Sequence, residues 1–237
     1  MKNNQYQIDE AVILCGGKGT RLRSIVHEFP KSLAPVGTKV FLDLLVESLI
    51  EQKIKKIIFS VGYMKEKIIK RYSGLKEIQV FFSEEEAPLG TGGAVKNSVQ
   101  YVSQNFFLVI NGDSYIDILY KDLIKNIKME KADALVLVKK NNSSRSDVGL
   151  FEISKNHKKI IGFSELDIND INKYINCGIY ILNKKYFENE ELDEFSLESY
   201  FLPKIIQKSF VTPYVSESSL YDIGTPDRYS QFLKKYE

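Results

Sequence analysis

Short β-branched runs alternate with amphipathic stretches through the first part of the chain. The runs that predict strands are residues 11–14, 56–61, 78–82, 106–110 and 134–138, and the stretches that predict helices are residues 40–51, 65–72, 92–102 and 121–129. An alternation repeated this often requires right-handed crossovers and a mainly parallel sheet that is covered on both faces. The sequence therefore predicts an α/β fold, a doubly wound Rossmann-like sheet that binds ligands at the carboxyl ends of its strands.

The alternation changes after about residue 141, where a polar run precedes shorter elements. Strands are predicted at residues 149–153, 160–163 and 175–182, and helices at residues 196–208 and 226–235. No linker rich in Pro, Gly or Ser separates the two parts of the chain. We therefore expect residues 1–237 to form a single domain, in which residues from about 141 onward add a small β extension on the ligand side.

Composition excludes several classes of protein. A chain with 43% hydrophobic and 27% charged residues is expected to fold as a soluble globular domain. Its 33 Lys and Arg against 31 Asp and Glu give a formal charge of +2, so we expect no nucleic-acid partner. Two Cys and two His argue against a disulfide framework or a zinc site, and no run is apolar enough for a signal peptide or a membrane span. We expect a cytoplasmic protein without a membrane partner, and a homo-oligomer is left open.

The first predicted strand is followed by a glycine-rich segment, Cys-Gly-Gly-Lys-Gly-Thr-Arg-Leu, at residues 15–22. Three glycines in four positions let the backbone approach a ligand closely, with N–H groups that can surround an anion. Two common phosphate-loop fingerprints fail, because Gly19 follows Lys18 where a P-loop has Ser or Thr, and Leu22 stands where a dinucleotide fingerprint has Gly. A glycine-rich turn between a strand and a helix remains the alternative.

Two basic residues near this segment favour the phosphate-binding interpretation. The guanidinium of Arg21 can clamp phosphate oxygens beside such a loop. Lys31 follows Pro30, which restricts the backbone in front of it and so helps to fix the position of the ammonium group. Either residue alone would be read as a solvated surface charge.

The segment LCGGKGTRLRSIVHEFPKSLAPV, which begins at Leu14, resembles the signature of the sugar-1-phosphate nucleotidyltransferases. Further segments resemble the family in the same order: PLGTGGA at residues 88–94, NGD at 111–113, INCGIY at 175–180 and YDIGTP at 221–226. The resemblance spans residue 11 to about residue 232. It implies a nucleotide-binding part over residues of about 10–140 and a sugar-phosphate-binding part over about 141–237.

The resemblance implies a reaction in which an oxygen of a sugar 1-phosphate attacks the α-phosphorus of a nucleoside triphosphate and releases pyrophosphate. Arg21, Lys31 and Asp113 would be the catalytic residues, since this transfer depends on positioning and charge stabilisation and needs no Ser, Cys or His nucleophile. Asp113 and Asp222 would hold Mg²⁺, which suits carboxylate oxygens beside substrate phosphates. Taken alone, each aspartate could equally form an Asp turn or a helix N-cap.

The resemblance also assigns the nucleotide site. The residues that would bind the nucleotide are Leu14, Cys15, Gly16, Gly17, Gly19, Thr20, Arg21, Glu85, Pro88, Gly90, Thr91, Gly92, Asn111 and Gly112. Among them Glu85 falls where the family has its base-reading side chain. Guanine presents adjacent N–H donors, which an acceptor-only carboxylate matches, whereas thymine or uracil would be served better by Gln. The expected nucleotide is therefore GTP.

On the sugar side, the resemblance implies roles for Gly149, Glu165, Asn176 and Gly178. One departure concerns the residue after Glu165, where the family usually has a Lys that binds the sugar phosphate and this chain has Leu166. Lys173 is a candidate substitute, although it also fits a surface position. In a lesser departure, Ser32 stands where a Pro commonly follows the Pro-Lys pair.

Within the family, Cys15, the PLGTGGA segment, the short length and the lack of a hexapeptide-repeat extension resemble the D-glycero-D-manno-heptose 1-phosphate guanylyltransferases most. Such an enzyme would make a GDP-sugar for surface polysaccharide. Mannose-1-phosphate guanylyltransferases, or another member of the family, are the near alternative. Leu166 leaves open a second class, a catalytically weak relative that binds a nucleotide sugar as a regulatory protein. A nicotinamide-dependent oxidoreductase is disfavoured because its fingerprint is missing.

Overall fold

A computed structural model describes residues 7–141, 149–164 and 173–236. Its strands are β1 (Glu10–Leu14), β2 (Pro35–Val36), β3 (Lys39–Val40), β4 (Lys56–Val61), β5 (Gln79–Glu84), β6 (Phe106–Asn111), β7 (Ser114–Ile116), β8 (Ala134–Lys140), β9 (Leu150–Ile153), β10 (Ile160–Ser164), β11 (Tyr174–Asn183), β12 (Val211–Val215) and β13 (Leu220–Asp222). Its α-helices are α1 (Phe41–Glu51), α2 (Lys65–Tyr72), α3 (Gly90–Ser98), α4 (Tyr120–Glu130), α5 (Lys185–Glu188), α6 (Leu202–Lys208) and α7 (Pro226–Tyr236). Short 3₁₀ turns cover Lys31–Leu33 and Val99–Tyr101, and a π-helical turn covers Leu197–Phe201.

Most of the strands of the central sheet run in one direction. Among the described residues, nine strands belong to this sheet, and β5, β4, β1 and β6 lie side by side in parallel. Strand β11 pairs antiparallel with β6 through its last residues and with β9 through its first, and its other edge pairs with β8, which is parallel to β12. Only β10 and β11 are therefore reversed within the described sheet. The predicted α/β fold with a mostly parallel Rossmann-like sheet is confirmed.

The burial of β1 explains why helices cover both faces of the sheet. Successive side chains of a strand point to opposite faces, and in β1 Ile13 packs into one hydrophobic cluster while Val12 packs into another. Leu45 of α1 belongs to the first cluster and Val95 of α3 to the second, and all four side chains are at most 1% exposed. Each such burial stabilises the fold by about 1.5–3 kcal/mol, so β1 anchors the residues that follow it.

Two differences from the predicted elements have physical reasons. Strand β12 was not predicted from the sequence. Its Pro213 lacks an N–H donor, but β12 pairs with β8 alone among the described strands, and such an edge tolerates a proline. The predicted helix at 196–208 begins instead with a π-helical turn, which the Ser196 side chain caps by accepting a hydrogen bond from Ser199 N. In the described part of the chain, no helix has the length and hydrophobicity required to cross a membrane.

Candidate active site

A cavity of about 690 Å³ lies at the carboxyl ends of β1, β4, β5 and β6. The sequence predicts a ligand site at this edge, because the loops that leave parallel strands converge there. Lining residues that were predicted from the sequence are Leu14, Cys15, Gly16, Gly17, Gly19, Lys31, Glu85, Pro88, Gly90, Thr91, Asn111, Gly112 and Asp113. The cavity therefore brings together residues that are up to about a hundred positions apart in the chain.

The glycine-rich loop is held to the neighbouring strand by its backbone. Cys15 N donates to the Ser60 carbonyl over 2.8 Å, and Tyr63 N donates to the Gly16 carbonyl over 3.1 Å. Among the described residues, only the chain neighbours of Gly17 have a heavy atom within 4 Å of the position that a Cβ on Gly17 would occupy, so this backbone faces the open cavity. Turns rather than a helix follow over residues 20–25, so the loop is not a tight strand-to-helix turn.

Lys31 and Asp113 form an ion pair on the cavity wall. Their side chains are 15% and 32% exposed, so the pair is partly shielded from solvent. Asp113 comes two residues after the end of β6, and the Gly112 N–H before it donates to the Leu14 carbonyl over 3.0 Å. A Cβ at Gly112 would approach that carbonyl to 2.7 Å, so glycine allows the loop to lie against β1. The catalytic lysine and aspartate predicted from the sequence are thus in direct contact.

Asp222 lies beside Asp113 on a neighbouring strand. Asp222 is the last residue of β13 and is paired with Ser114 of β7, and Ile223 N donates to the Asp113 carbonyl over 3.0 Å. The Asp222 Oδ1 atom accepts hydrogen bonds from Gly224 N at 2.9 Å and from Arg228 Nη1 at 2.7 Å. The two predicted metal ligands therefore occupy adjacent backbone positions at one edge of the fold.

The two carboxylates fit a divalent metal. Each contacts a cationic side chain, Lys31 at Asp113 and Arg228 at Asp222, and each presents the carboxylate oxygens that Mg²⁺ prefers as ligands. Within the described ranges, no group of three or more His, Cys, Asp or Glu forms a complete protein cage for a metal. Two carboxylate ligands are nevertheless the usual protein contribution to Mg²⁺, which takes its remaining ligands from water and substrate phosphates.

Arg21 and Thr20 are exposed and do not line the cavity in the described structure. The Arg21 guanidinium instead lies toward Asp222: its Nη2 atom is 3.6 Å from the position that a Cβ on Gly224 would occupy. The sequence places Arg21 with the glycine loop, whereas the turn after Gly19 directs the side chain past that loop. Arg21 therefore stands at the side of the site where the two aspartates meet.

The Glu85 carboxyl group lies at the other end of the cavity, against the glycine loop. Its Oε1 atom accepts a hydrogen bond from Ser60 Oγ at 3.1 Å, and its Oε2 atom accepts one from Leu89 N at 3.4 Å. A Cβ at Gly16 would lie 2.7 Å from Oε1, so Gly16 makes room for this carboxyl. Burial raises the pKa of Glu85, although the hydrogen bonds from Leu89 and Ser60 oppose that rise.

The glycines at the start of α3 pack against the segment of residues 193–197. Phe195 O accepts hydrogen bonds from Gly92 N at 2.9 Å and from Gly93 N at 3.2 Å. Gly90 has a φ of +71° and Gly92 abuts the Phe195 ring, so both positions exclude a larger residue before any ligand binds. The contacts with segment 193–197 require glycine at these positions without any ligand, so the role of this segment in binding a base or ribose stays a prediction. Gly92 does not line the cavity, whereas Gly90 and Thr91 do.

The sugar-side segment lies next to the cavity but does not line it. Asn176 and Gly178 belong to an irregular stretch of β11, where Gly178 has a φ of +71° and a Cβ would lie 2.7 Å from Asn111 Nδ2. Gly149 accepts a hydrogen bond from Asn176 N at 3.0 Å, and its Cβ position adjoins the Phe163 ring. The sequence predicts that a group approaches Gly149 closely, and in the structure that group is the Phe163 ring.

Two of the residues predicted to lie on the sugar side, Glu165 and Lys173, stay predictions. Glu165 and the neighbouring Leu166 lie outside the described residues. Lys173 lies just before β11, where its carbonyl accepts a hydrogen bond from Asn141 N at 3.0 Å, and it does not line the cavity. The assignment of Lys173 to the sugar phosphate stays a prediction.

Several residues of the cavity wall were not predicted from the sequence. Ser60, Gly62 and Tyr63 come from the end of β4 and the turn after it, and Ser32 comes from the 3₁₀ turn. The sequence contained a signal for Ser60, Gly62 and Tyr63, because β4 was predicted as a strand and its carboxyl end must lie beside that of β1. Among the described residues, the side-chain oxygen of Asn111 is buried without a hydrogen-bond partner.

Known proteins resemble this chain over nearly its whole length. A D-glycero-alpha-D-manno-heptose 1-phosphate guanylyltransferase from Campylobacter jejuni is 37% identical over 227 residues, which cover 94% of this chain and 98% of that protein. A mannose-1-phosphate guanyltransferase from Yarrowia lipolytica is 30% identical over 222 residues, which cover 92% of this chain and 61% of that longer protein.

A solved structure supports the same relationship. HddC from Yersinia pseudotuberculosis, which has also been solved in complex with GMP-PN, is 33% identical and superposes with a TM-score of 0.84. The superposition covers 96% of this chain and 99% of HddC. The sequence profile of the nucleotidyl transferases matches residues 10–237. The predicted relationship is confirmed, and the chain belongs to the nucleotidyl transferase family.

Proposed function

We propose that this protein transfers GMP from GTP to D-glycero-D-manno-heptose 1-phosphate. An oxygen of the sugar phosphate attacks the α-phosphorus of GTP, a new P–O bond forms, and the bond to the β-phosphate oxygen breaks. The products are a GDP-sugar and pyrophosphate. The observation that carries the proposal is a single cavity in which a guanine-compatible carboxyl, Glu85, and the Lys31–Asp113 pair stand on either side of a glycine-rich loop.

The electrostatics of the cavity suit two anionic substrates. A pair of unit charges about 4 Å apart repels by about 4 kcal/mol at an effective dielectric constant of about 20, so the substrates meet only where cations offset that repulsion. Lys31 and the backbone N–H groups of residues 16–19 serve the triphosphate in this proposal. Arg21, at the aspartate side, serves the phosphate where negative charge develops.

The GTP assignment rests on the accepting atoms of Glu85. Each carboxyl oxygen already accepts one hydrogen bond from the protein, from Ser60 or from Leu89, and retains further accepting capacity. Guanine has adjacent N–H donors that this carboxylate can accept together, whereas uracil and thymine offer one donor beside acceptors. The guanylyltransferase names of the relatives and the GMP-PN complex of HddC support the same choice.

Mg²⁺ completes the proposed site. Asp113 and Asp222 would hold the ion, which neutralises phosphate charge when it is bound. The protein's own contribution is to bring the two aspartates together through the hydrogen bond from Ile223 N to the Asp113 carbonyl, with Lys31 and Arg228 in contact with their carboxylates. Both cysteines are buried free thiols, which suits the reducing cytoplasm that we propose as the site of action.

A matrix assay tests the proposal. The purified protein is incubated with Mg²⁺ and each common nucleoside triphosphate against heptose, mannose, glucose and N-acetylglucosamine 1-phosphates, and pyrophosphate release is measured. We expect the highest kcat/KM for GTP with the heptose 1-phosphate. A preference for mannose 1-phosphate would replace the sugar assignment, and a preference for another nucleotide would replace the GTP assignment. Tight binding of a GDP-sugar without pyrophosphate release would contradict the enzymatic function.

A further inference from the structure

Glu198 lies outside the cavity wall but is connected to it by hydrogen bonds. Its Oε2 atom accepts from Thr91 Oγ1 at 2.6 Å, and its Oε1 atom accepts from the Tyr180 hydroxyl at 3.1 Å. Thr91 belongs to the first turn of α3 and lines the cavity, whereas Tyr180 belongs to β11. One carboxylate therefore joins the nucleotide-side helix α3 to the sugar-side strand.

The connection continues from Tyr180 to Asn176. The Tyr180 hydroxyl accepts a hydrogen bond from Asn176 Nδ2 at 2.7 Å, and Asn176 Oδ1 accepts one from Gly178 N at 3.0 Å. Tyr180 is 0% exposed, and burial together with the charge of Glu198 raises its pKa, so the phenol stays protonated and donates to Glu198. Because its hydrogen is directed at Glu198, the phenol oxygen must accept from Asn176.

We propose that Glu198 is a positioning residue that fixes both Thr91 at the nucleotide and Asn176 at the sugar, and so couples the two halves of the substrate site. The inference rests on the proposed function, since it assigns the nucleotide to the Thr91 side and the sugar to the Asn176 side. Glu198 itself need not touch either substrate. Its carboxylate can only accept, so the hydroxyls of Thr91 and Tyr180 must both donate to it, and Tyr180 must then accept from Asn176.

An amide in place of the carboxylate cannot satisfy both ends. If Glu198→Gln directs its oxygen at Thr91, its NH₂ group faces Tyr180, whose oxygen then meets two donors. If it directs its oxygen at Tyr180, its NH₂ group faces the Thr91 oxygen, which already accepts a hydrogen bond from Leu197 N at 2.8 Å. One hydroxyl hydrogen is left without an acceptor in either case, and the side chain attached to it loses its fixed orientation.

Two variants and a matched control test the proposal by steady-state kinetics with both substrates varied. Tyr180→Phe keeps the ring but cuts the connection to Asn176, so we expect KM for the sugar 1-phosphate to rise about tenfold while KM for GTP changes less than about twofold. Glu198→Gln should lower kcat/KM about tenfold or more for at least one of the substrates. Glu194→Gln makes the same substitution at an exposed position of the same segment and should match the wild type.

A double variant that combines Glu198→Gln with Tyr180→Phe distinguishes a positioning role from general destabilisation of the fold. If Glu198 acts on Asn176 through Tyr180, the double variant should show a sugar KM no higher than that of the worse single variant. Unchanged kinetics in Glu198→Gln, an equal rise of both KM values in Tyr180→Phe, or additive effects would each overturn the proposal. Should Glu198→Gln not fold, Tyr180→Phe decides alone.

A second measurement does not depend on turnover. In ¹⁵N-labelled protein without substrate, the side-chain amide resonance of Asn176 should shift in Tyr180→Phe and in Glu198→Gln, and should stay in place in Glu194→Gln. An unmoved resonance in the first two variants would overturn the positioning role. A wild-type protein that fails the pyrophosphate assay but shows these shifts would contradict the proposed function and leave the connection between Glu198 and Asn176 supported.

Discussion

The Ser60 hydroxyl donates a hydrogen bond to Oε1 of Glu85 over 3.1 Å. Ser60 is 0% exposed and lies in β4, between the neighbouring strands β1 and β5, so its position is fixed by the sheet. Glu85 follows β5 directly and takes its orientation from Ser60 and from Leu89 N. A buried hydroxyl with no net charge thus holds the residue to which we assign recognition of the base.

Glu85→Gln should weaken the preference for GTP over UTP and dTTP. The amide presents one acceptor and one donor group, so it loses one of the two accepting positions that guanine requires, and we expect the ratio of kcat/KM values to fall about tenfold or more. The ratio is measured by pyrophosphate release at a fixed sugar phosphate concentration. Glu84→Gln, at an exposed residue paired with Lys65, is the matched control. Unchanged selectivity in Glu85→Gln would contradict the base assignment.

The raised pKa of Glu85 predicts a pH dependence of GTP use. Guanine donors need the ionised carboxylate, whereas burial favours the protonated form in the free protein. The kcat/KM for GTP should therefore fall as the pH drops through that raised pKa, by about tenfold for each pH unit below it. A profile that begins below the ordinary glutamate pKa of about 4.3 and continues to neutral pH, at saturating sugar phosphate, tests this, and the acid limb should be absent in Glu85→Gln. An identical acid limb in the variant would assign it to another group.

The fold was largely predictable because local signals and tertiary context agree in its first part. Strand β4 and helix α2 begin and end as predicted, since their hydrophobic periods are clear and no proline interrupts them. Strand β12 was not predicted, and it contains Pro213, which a strand accepts only where its neighbouring edge is free. That condition is a property of the assembled sheet and cannot be read from five residues.

The site was predictable where a motif follows a predicted strand, as for Asp113 after β6. The sequence did not predict that Arg21 lies toward Asp222, because the direction of a turn depends on tertiary contacts. It also gave no reason to expect that Phe195 fills the space beside Gly92, since these residues are about a hundred positions apart. Contacts between segments so distant in the sequence are determined by the tertiary fold.

Arg21→Ala should slow turnover without loss of folding. Removing one preorganised charge stabiliser typically costs a factor of about 10² or more in kcat, about 3 kcal/mol. The side chain is exposed, so the melting temperature should remain close to that of the wild type. Arg21→Lys, which keeps the charge but loses the planar fork, should recover only part of the rate. A wild-type rate in Arg21→Ala would remove this residue from the mechanism.

Asp113→Ala and Asp222→Ala should each weaken binding of a divalent metal to the complex with GTP. Mn²⁺ serves as the probe, and free Mn²⁺ is measured by electron paramagnetic resonance in the presence of saturating GTP. Loss of one carboxylate ligand should weaken the site by about tenfold or more, and pyrophosphate release should be abolished in Asp113→Ala. Asp117→Ala replaces an exposed carboxylate close in sequence and is the control. Unchanged Mn²⁺ binding in both variants would contradict the assigned ligands.

Gly178→Ala should destabilise the fold and disturb the active site together. The φ of +71° at this position is strained for alanine, and the added Cβ would lie 2.7 Å from Asn111 Nδ2, so the side chain on the cavity wall must move. We expect a loss of about 1–3 kcal/mol in the free energy of unfolding, which for a chain of this size lowers the melting temperature by roughly 2–4 °C per kcal/mol. Gly74→Ala is the control, since its φ is not positive and, beyond its chain neighbours, no heavy atom of the residues that the structure describes lies within 4 Å of its Cβ position. Because Asn111 lines the cavity, kcat/KM should fall in Gly178→Ala well below the melting temperature, whereas a purely structural effect would leave kcat/KM unchanged there.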